Sequence, residues 1–275
     1  MRSVIGSQTC HQPRLIEANG SRRPGGTFTA MLPIRDENPT LRPAVATYAL
    51  IAANLVVWVL VEGMGREPTL SRSICTLGLI PGEFLGQLPA GSPIPVGPGV
   101  QCVAQGQGPI LAPLTSMFMH GSWLHVLGNM WFLHIFGNNV EDVMGRFRFV
   151  VFYLLGGLAA AASQVLSSPA SAVPMVGASG AIGAVMGSYV LLYPRAGVHT
   201  FVFLGFWARM MVLPAYLMLG FWFLLQLVSG ALSPPDTGGV AFWAHVGGFL
   251  CGLLLTPVFR NARLVAQHAA ATGIA

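Results

Sequence analysis

Residues 176–193 read VGASGAIGAVMGSYVLLY. The run carries no charge, and at 1.5 Å per helical residue it spans most of the roughly 30 Å of a bilayer's hydrocarbon. Its small residues recur at helical spacing, so that Ser179, Gly183 and Gly187 share one face. A face of that kind lets a second membrane helix approach backbone to backbone. The stretch from Ala241 to Phe259 offers the matching surface, with His245, Gly248 and Gly252 on one face. Docking the two smooth faces brings Ser179 toward His245.

Working outward, four more apolar runs are long enough to span: Ala44–Val61, Thr115–Gly137, Phe149–Leu166 and Met210–Gly230. Together with the first two they predict an all-α polytopic membrane protein, a bundle of six transmembrane helices. The composition agrees: 53% of the 275 residues are hydrophobic and 8% charged, which a water-soluble core of this size does not require. Arginine placement sets orientation, because short loops rich in Arg stay cytoplasmic. Arg2, Arg14, Arg22, Arg23, Arg35, Arg42, Arg146, Arg148, Arg195, Arg209, Arg260 and Arg263 fall on one side, and only Arg66 and Arg72 on the other. Both termini are therefore expected in the cytoplasm and the protein in the cell's inner (plasma) membrane. The net charge of +5 is accounted for by this asymmetry and by anionic lipid headgroups. No basic stripe with interleaved aromatics suggests a nucleic-acid partner.

Three regions follow. Residues 1–43 read as a polar, partly disordered cytoplasmic arm, residues 44–259 as the membrane domain, and residues 260–275 as a short cytoplasmic tail. Translation is read as able to begin at Met31, with residues 1–30 dispensable. The outer segment from Glu62 to Pro113 is too long for a mere connector, and apolar patches broken by Pro81, Gly82 and Pro89 suggest pieces lying in the interface. Cys75 and Cys102 share the outer side and are either bridged, if that side is oxidising, or two free thiols. Other connections are short, and no inverted repeat of broken helices points to a transporter.

Ionisable groups inside spans mark function by default. No Asp or Glu lies in an apolar run, Glu141 and Asp142 being placed just past a helix end, so an aspartyl protease and a carboxylate-completed triad both fall away. The chain contains no Lys, which excludes a Ser-Lys dyad, and no His-Glu-x-x-His run holds zinc. The polar groups singled out within the spans are His120, His125, Asn129, His134, Ser179, Ser188 and His245. The second, fourth and sixth spans all start from the outer side. Ser179 and His245 are then expected roughly 6 to 8 Å below the outer helix ends, with His125 and Asn129 on one face somewhat deeper. A serine needs a base to become a nucleophile, and His245, kept neutral in apolar surroundings, is the candidate. The oxyanion formed by attack on an amide needs donors. His125 and Asn129 offer side chains, and the Gly177-Ala178-Ser179-Gly180 stretch offers free N–H groups at a helix start, that of Ser179 foremost.

These three strings, Gly177-Ala178-Ser179-Gly180, His120-x4-His125-x3-Asn129 and Ala244-His245-x2-Gly248-x3-Gly252, resemble the signatures of the rhomboid family of intramembrane serine proteases. The stretch Pro33–Thr40 and Glu141-x3-Gly145 resemble its bacterial members, so the likeness covers residues 31–259. The resemblance implies Ser179 as nucleophile, His245 as base, His125 and Asn129 in the oxyanion hole, and His120 as a brace for the outer loop. The Trp-Arg pair that many rhomboids carry ahead of the second span is absent from this sequence.

Taken singly, a Gly-x-Ser-Gly string in a membrane helix is a packing surface, and His125 and Asn129 are hydrogen-bonding glue. Their combination at matching depth favours catalysis. Trp131, Trp207, Phe221, Trp222, Phe223 and Trp243 read as lipid-facing or interfacial anchors, and the methionines as packing. No cofactor or metal is called for. The expected function is hydrolysis of single-span membrane protein substrates within the lipid bilayer, by a Ser-His dyad opening to the outer side, with the fifth helix and the Ser233–Val240 loop as the moving parts. The competing classes are a rhomboid-like protein that binds membrane clients without cutting them and a small transporter.

Overall fold

The computed structural model describes residues 29–97, 99–204, 207–233 and 239–274. The first 28 residues, with Cys10, Arg2, Arg14, Arg22 and Arg23, and most of the Ser233–Val240 loop lie outside them. The chain is mostly helical. Its principal helices are α1 (Val45–Leu60), α2 (Thr69–Leu77), α3 (Trp123–Met144), α4 (Arg146–Ser167), α5 (Ser179–Leu192), α6 (Ala215–Leu232), α7 (Phe242–Phe259) and α8 (Ala262–Thr272). By length and composition α4, α6 and α7 can each cross a membrane, while α1 and α5 are apolar but shorter.

Helix α5 is the axis of the molecule, with every residue from Gly180 to Tyr189 buried. Glycine makes this possible. A Cβ on Gly248 would run into the Gly180 carbonyl oxygen, one on Gly252 into that of Ala184, and one on Gly187 into that of Phe249. The α5–α7 contact is therefore backbone against backbone over three turns. Helix α4 closes the other side, Ala160 and Ala184 filling the space that Gly180 and Gly156 leave.

The second span predicted at Thr115–Gly137 is displaced: α3 starts at Trp123, where the Ser122 hydroxyl caps it by accepting from the His125 N–H at 3.2 Å, and runs on to Met144. Glu141 and Asp142 thus lie inside the last turn of α3, buried, rather than beyond it. They are tolerated there because they are fully partnered. Glu141 accepts from the N–H groups of Ala46 (2.9 Å) and Thr47 (2.7 Å) and from the Thr47 hydroxyl (2.8 Å), capping α1 from outside the helix. Asp142 accepts from the Leu41 N–H at 3.0 Å and from Arg42 at 3.1 Å. Gly145, at φ +81°, makes the break between α3 and α4.

The all-α expectation needs correction, because five strands are present among the described residues. Strands β1 (Thr29–Asp36), β4 (Gly197–Leu204) and β5 (Trp207–Pro214) form an antiparallel sheet in the order β1-β4-β5, with Leu32 opposite Phe201 and Phe201 opposite Met210. Val198, Thr200 and Val202 alternate inward, the period-2 pattern of a half-buried strand. The polar arm therefore contributes a strand at its end, and the fifth helix begins at Ala215 instead of Met210. The run Met210–Pro214 was legible as apolar, and an apolar run that short does not distinguish strand from helix. Strands β2 (Pro93–Gly97) and β3 (Val100–Val103) form a hairpin in the long segment after α1. The tail is also structured: α8 is capped by Asn261, and His268 Nε2 sits 3.1 Å from the Pro39 carbonyl.

The segment between α1 and α3 is pinned at several points. Cys75 and Cys102 are disulfide bonded. Leu79 and Met175 exchange backbone hydrogen bonds of 3.0 and 2.7 Å, and the Gly82 N–H donates to the Ser171 carbonyl at 2.9 Å. The His120 N–H donates to the buried Glu62 carboxylate at 2.6 Å. These contacts tie the segment to the residues ahead of α3 and to the chain ahead of α5.

Candidate active site

Helix α5 begins at Ser179 itself, so the serine occupies the first helical residue instead of lying a turn below the helix start. Gly177, at φ +126°, turns the chain into it. His245 lies in the first turn of α7, whose Ala244 N–H donates to the Gln164 side-chain oxygen at 3.3 Å. Because no Cβ separates α5 from α7 at Gly248 and Gly252, the side chains above them meet. Ser179 Oγ and His245 Nε2 stand 2.8 Å apart.

The other imidazole nitrogen is engaged as well. His245 Nδ1 stands 2.8 Å from Oε1 of Gln226 on α6. An amide oxygen only accepts, so this contact holds the ring proton on Nδ1 and leaves Nε2 free to take a proton from Ser179. Trp222, one turn before Gln226, lies over the ring with centroids 5.7 Å apart.

Gln226 was not among the residues singled out from sequence. A lone amide in the middle of the apolar Met210–Gly230 run was the available signal, since an unpaired polar side chain there is costly. Trp222 likewise faces His245 and Phe249, and Phe223 stacks on Phe249 at 4.6 Å, so neither is simply a lipid anchor. Trp131 is exposed, as an anchor would be, while its Nε1–H donates to the Pro33 carbonyl at 2.8 Å, tying β1 to α3.

His125 and Asn129 close over the Gly177 turn. A Cβ built on Gly177 would fall 2.7 Å from His125 Nε2 and 3.5 Å from Asn129 Nδ2. The Gly121 N–H points at His125 Nδ1, at 3.4 Å, which leaves Nε2–H as the donor directed at the turn. Asn129 Nδ2 is buried without any hydrogen-bond partner. A buried orphan donor is expensive, and this one lies beside the Gly177 turn that leads into Ser179. The Ser179 N–H, in the first turn of α5, is free of helical bonding as well.

His120 is fully buried. Its ring lies edge-on to His125 at 5.1 Å, so it stands behind the donor set and beside Glu62 instead of in the cleft. His134 pairs with the Tyr48 hydroxyl at 3.4 Å, across α1 and α3, and Ser188 is buried far along α5. A cavity of about 880 Å³ opens over Ser179 and His245, walled by Gly128, Phe132, Gln164, Met175 and Trp243 among others. Among the described residues no cluster of His, Cys, Asp or Glu could hold a metal ion.

Comparison with known proteins points the same way. The family model described as Rhomboid domain matches residues 109–262, a stretch that contains every residue of the constellation above. Rhomboid-like protein 11, chloroplastic, of Arabidopsis thaliana is 39% identical over 79 residues, 29% of this chain and 28% of that protein. Rhomboid protein 1, mitochondrial, of Saccharomyces cerevisiae is 28% identical over 146 residues, 50% of this chain and 39% of that protein. The matches thus cover well under half of either relative's length.

Proposed function

This chain belongs to the rhomboid family, and on that premise we propose that it is an intramembrane serine endopeptidase, cleaving peptide bonds in or near transmembrane segments of other membrane proteins with a Ser179–His245 dyad. The observation that carries the reading is the 2.8 Å approach of Ser179 Oγ to His245 Nε2. His245 takes the hydroxyl proton as Oγ attacks the scissile carbonyl. The oxyanion that results is stabilised by His125 Nε2–H, Asn129 Nδ2–H and the Ser179 N–H. Collapse of the tetrahedral intermediate passes the proton to the leaving amine and leaves an acyl-enzyme on Ser179, which water from the cavity hydrolyses.

In this reading residues 44–259 form one membrane domain, with α1, α3, α4, α5, α6 and α7 as six spans and the Glu62–Pro113 segment on the outer side. The arginine distribution then places both termini in the cytoplasm and the cleft at the outer face of the plasma membrane, where a disulfide between Cys75 and Cys102 is chemically at home. Substrates are single-span proteins with a segment weak enough to unwind, since a regular helix hides its amides in hydrogen bonds.

The test is cleavage of a model single-span substrate in proteoliposomes by wild type and Ser179→Ala, alongside labelling by a fluorophosphonate. The protease reading expects cleavage and labelling by wild type and neither by the variant. A folded wild type that binds substrate without cutting it, and stays unlabelled, supports a client-binding protein instead.

A further inference from the structure

Of the three helices long and apolar enough to cross a membrane, α6 buries the smallest share of its residues within the protein. Its buried residues, Ala215, Met218 and Leu219, all lie in its first two turns, whereas Leu224, Leu225, Val228 and Leu232 are exposed. Yet this second half supplies two contacts to the imidazole, Trp222 on its face and Gln226 Oε1 on Nδ1. At the end of α6, Gly230 packs so closely that a Cβ there would lie 3.2 Å from that of Phe242 and 3.3 Å from the Trp243 ring. Phe223 also stacks on Phe249 at 4.6 Å, so this half of α6 is held on α7 by aromatic contacts as well as at Gly230.

We infer that Gln226 is a positioning residue which sets the tautomer of His245. The inference rests on the protease reading above. An imidazole proton has two places to sit, and only Nδ1–H leaves Nε2 able to accept from Ser179. The Gln226 amide oxygen, 2.8 Å from Nδ1, selects that form; without it the proton can take either nitrogen and the ring is free to turn.

The groups facing His245 are few. From α5 comes Ser179, from α6 Gln226 and Trp222, from α4 Gln164 at the neighbouring Ala244 N–H, and from α3 His125, the one titratable neighbour among the described residues.

The experiment compares full-length wild type, Gln226→Leu and Gln226→Glu in detergent, reading the rate of fluorophosphonate labelling from pH 5 to 9, thermal unfolding, and kcat and KM on the model substrate. Gln226→Leu is expected to label about 10- to 100-fold more slowly at unchanged unfolding temperature, with the loss in kcat and not in KM. Gln226→Glu, whose carboxylate accepts the same proton, is expected to recover to within about threefold of wild type. It also stabilises the imidazolium, so the acid limb of its profile moves to higher pH by about one unit. Wild-type labelling by Gln226→Leu, or a Gln226→Glu as slow as Gln226→Leu with an unmoved limb, overturns the positioning role. An unlabelled wild type refutes the protease reading itself and takes the inference with it.

Discussion

Replacing Gly248 by alanine puts one methyl group where the Gly180 carbonyl oxygen already is. Neither atom can rotate away, since one is backbone and the other is fixed to it, so α5 and α7 must part by about 1 Å to restore ordinary contact. Gly180 adjoins Ser179, and Gly248 lies one turn from His245, so the separation passes almost undiminished to the reacting pair. From 2.8 Å the Oγ–Nε2 distance then exceeds about 3.5 Å, beyond a useful hydrogen bond. Overpacking of this kind costs about 1–3 kcal/mol of stability, and a misplacement of about 1 Å costs about 100-fold in rate. Gly183→Ala is the control: its Cβ would meet the His245 carbonyl at 3.2 Å and the Phe249 nitrogen at 3.4 Å, contacts relieved by a few tenths of an ångström. Labelling time courses with a fluorophosphonate, beside thermal unfolding in the same detergent, separate the two. Gly248→Ala should label about 100-fold more slowly and Gly183→Ala within about threefold of wild type. A Gly248→Ala variant that labels within threefold of wild type would refute the claim that backbone contact sets the dyad distance.

Asn129→Ala removes one of the donors around the Gly177 turn and should lower kcat by about 10²- to 10³-fold with KM little changed; equal loss in both parameters would show a packing role. Glu62 is a buried carboxyl whose pKa is pushed up to about 7 by burial, partly offset by the His120 N–H. A raised carboxyl pKa means that the protonated form favours the fold. Its contribution is therefore full below about pH 4.5, the unfolded value, and is lost as pH rises through about 7. Unfolding temperatures of Glu62→Gln and wild type should accordingly diverge across that window, wild type falling, and parallel curves would contradict it. Serine at both Cys75 and Cys102, whose Cα atoms lie 6.1 Å apart and 27 positions apart in sequence, should cost about 3.5 kcal/mol on loop entropy, measured as a lowered unfolding midpoint without any change in the labelling rate of the folded enzyme.

Where sequence reading and structure diverge, the divergence has a local cause. The second span was drawn at Thr115–Gly137 because Asn138, Asn139, Glu141 and Asp142 lower the hydropathy beyond it. The helix continues through them since each carboxylate has partners from α1 and the chain before it. The strands were missed for a related reason. Met210–Pro214 and Thr29–Asp36 carry no signal of their pairing, because it is made with Gly197–Leu204, far away in the chain for β1.

What the amino-acid order determined by itself was the spacing of small and reactive residues on helices. Ser179 with Gly183 and Gly187, and His245 with Gly248 and Gly252, are each on one face by helical geometry alone, and a glycine face has only another backbone to meet. The proton on His245 was beyond such reasoning. Whether Nε2 is free depends on what touches Nδ1, and that is Gln226, 19 positions away on a different helix. Periodicity relates residues within a helix, and only the packing of α6 against α7 relates residues between them.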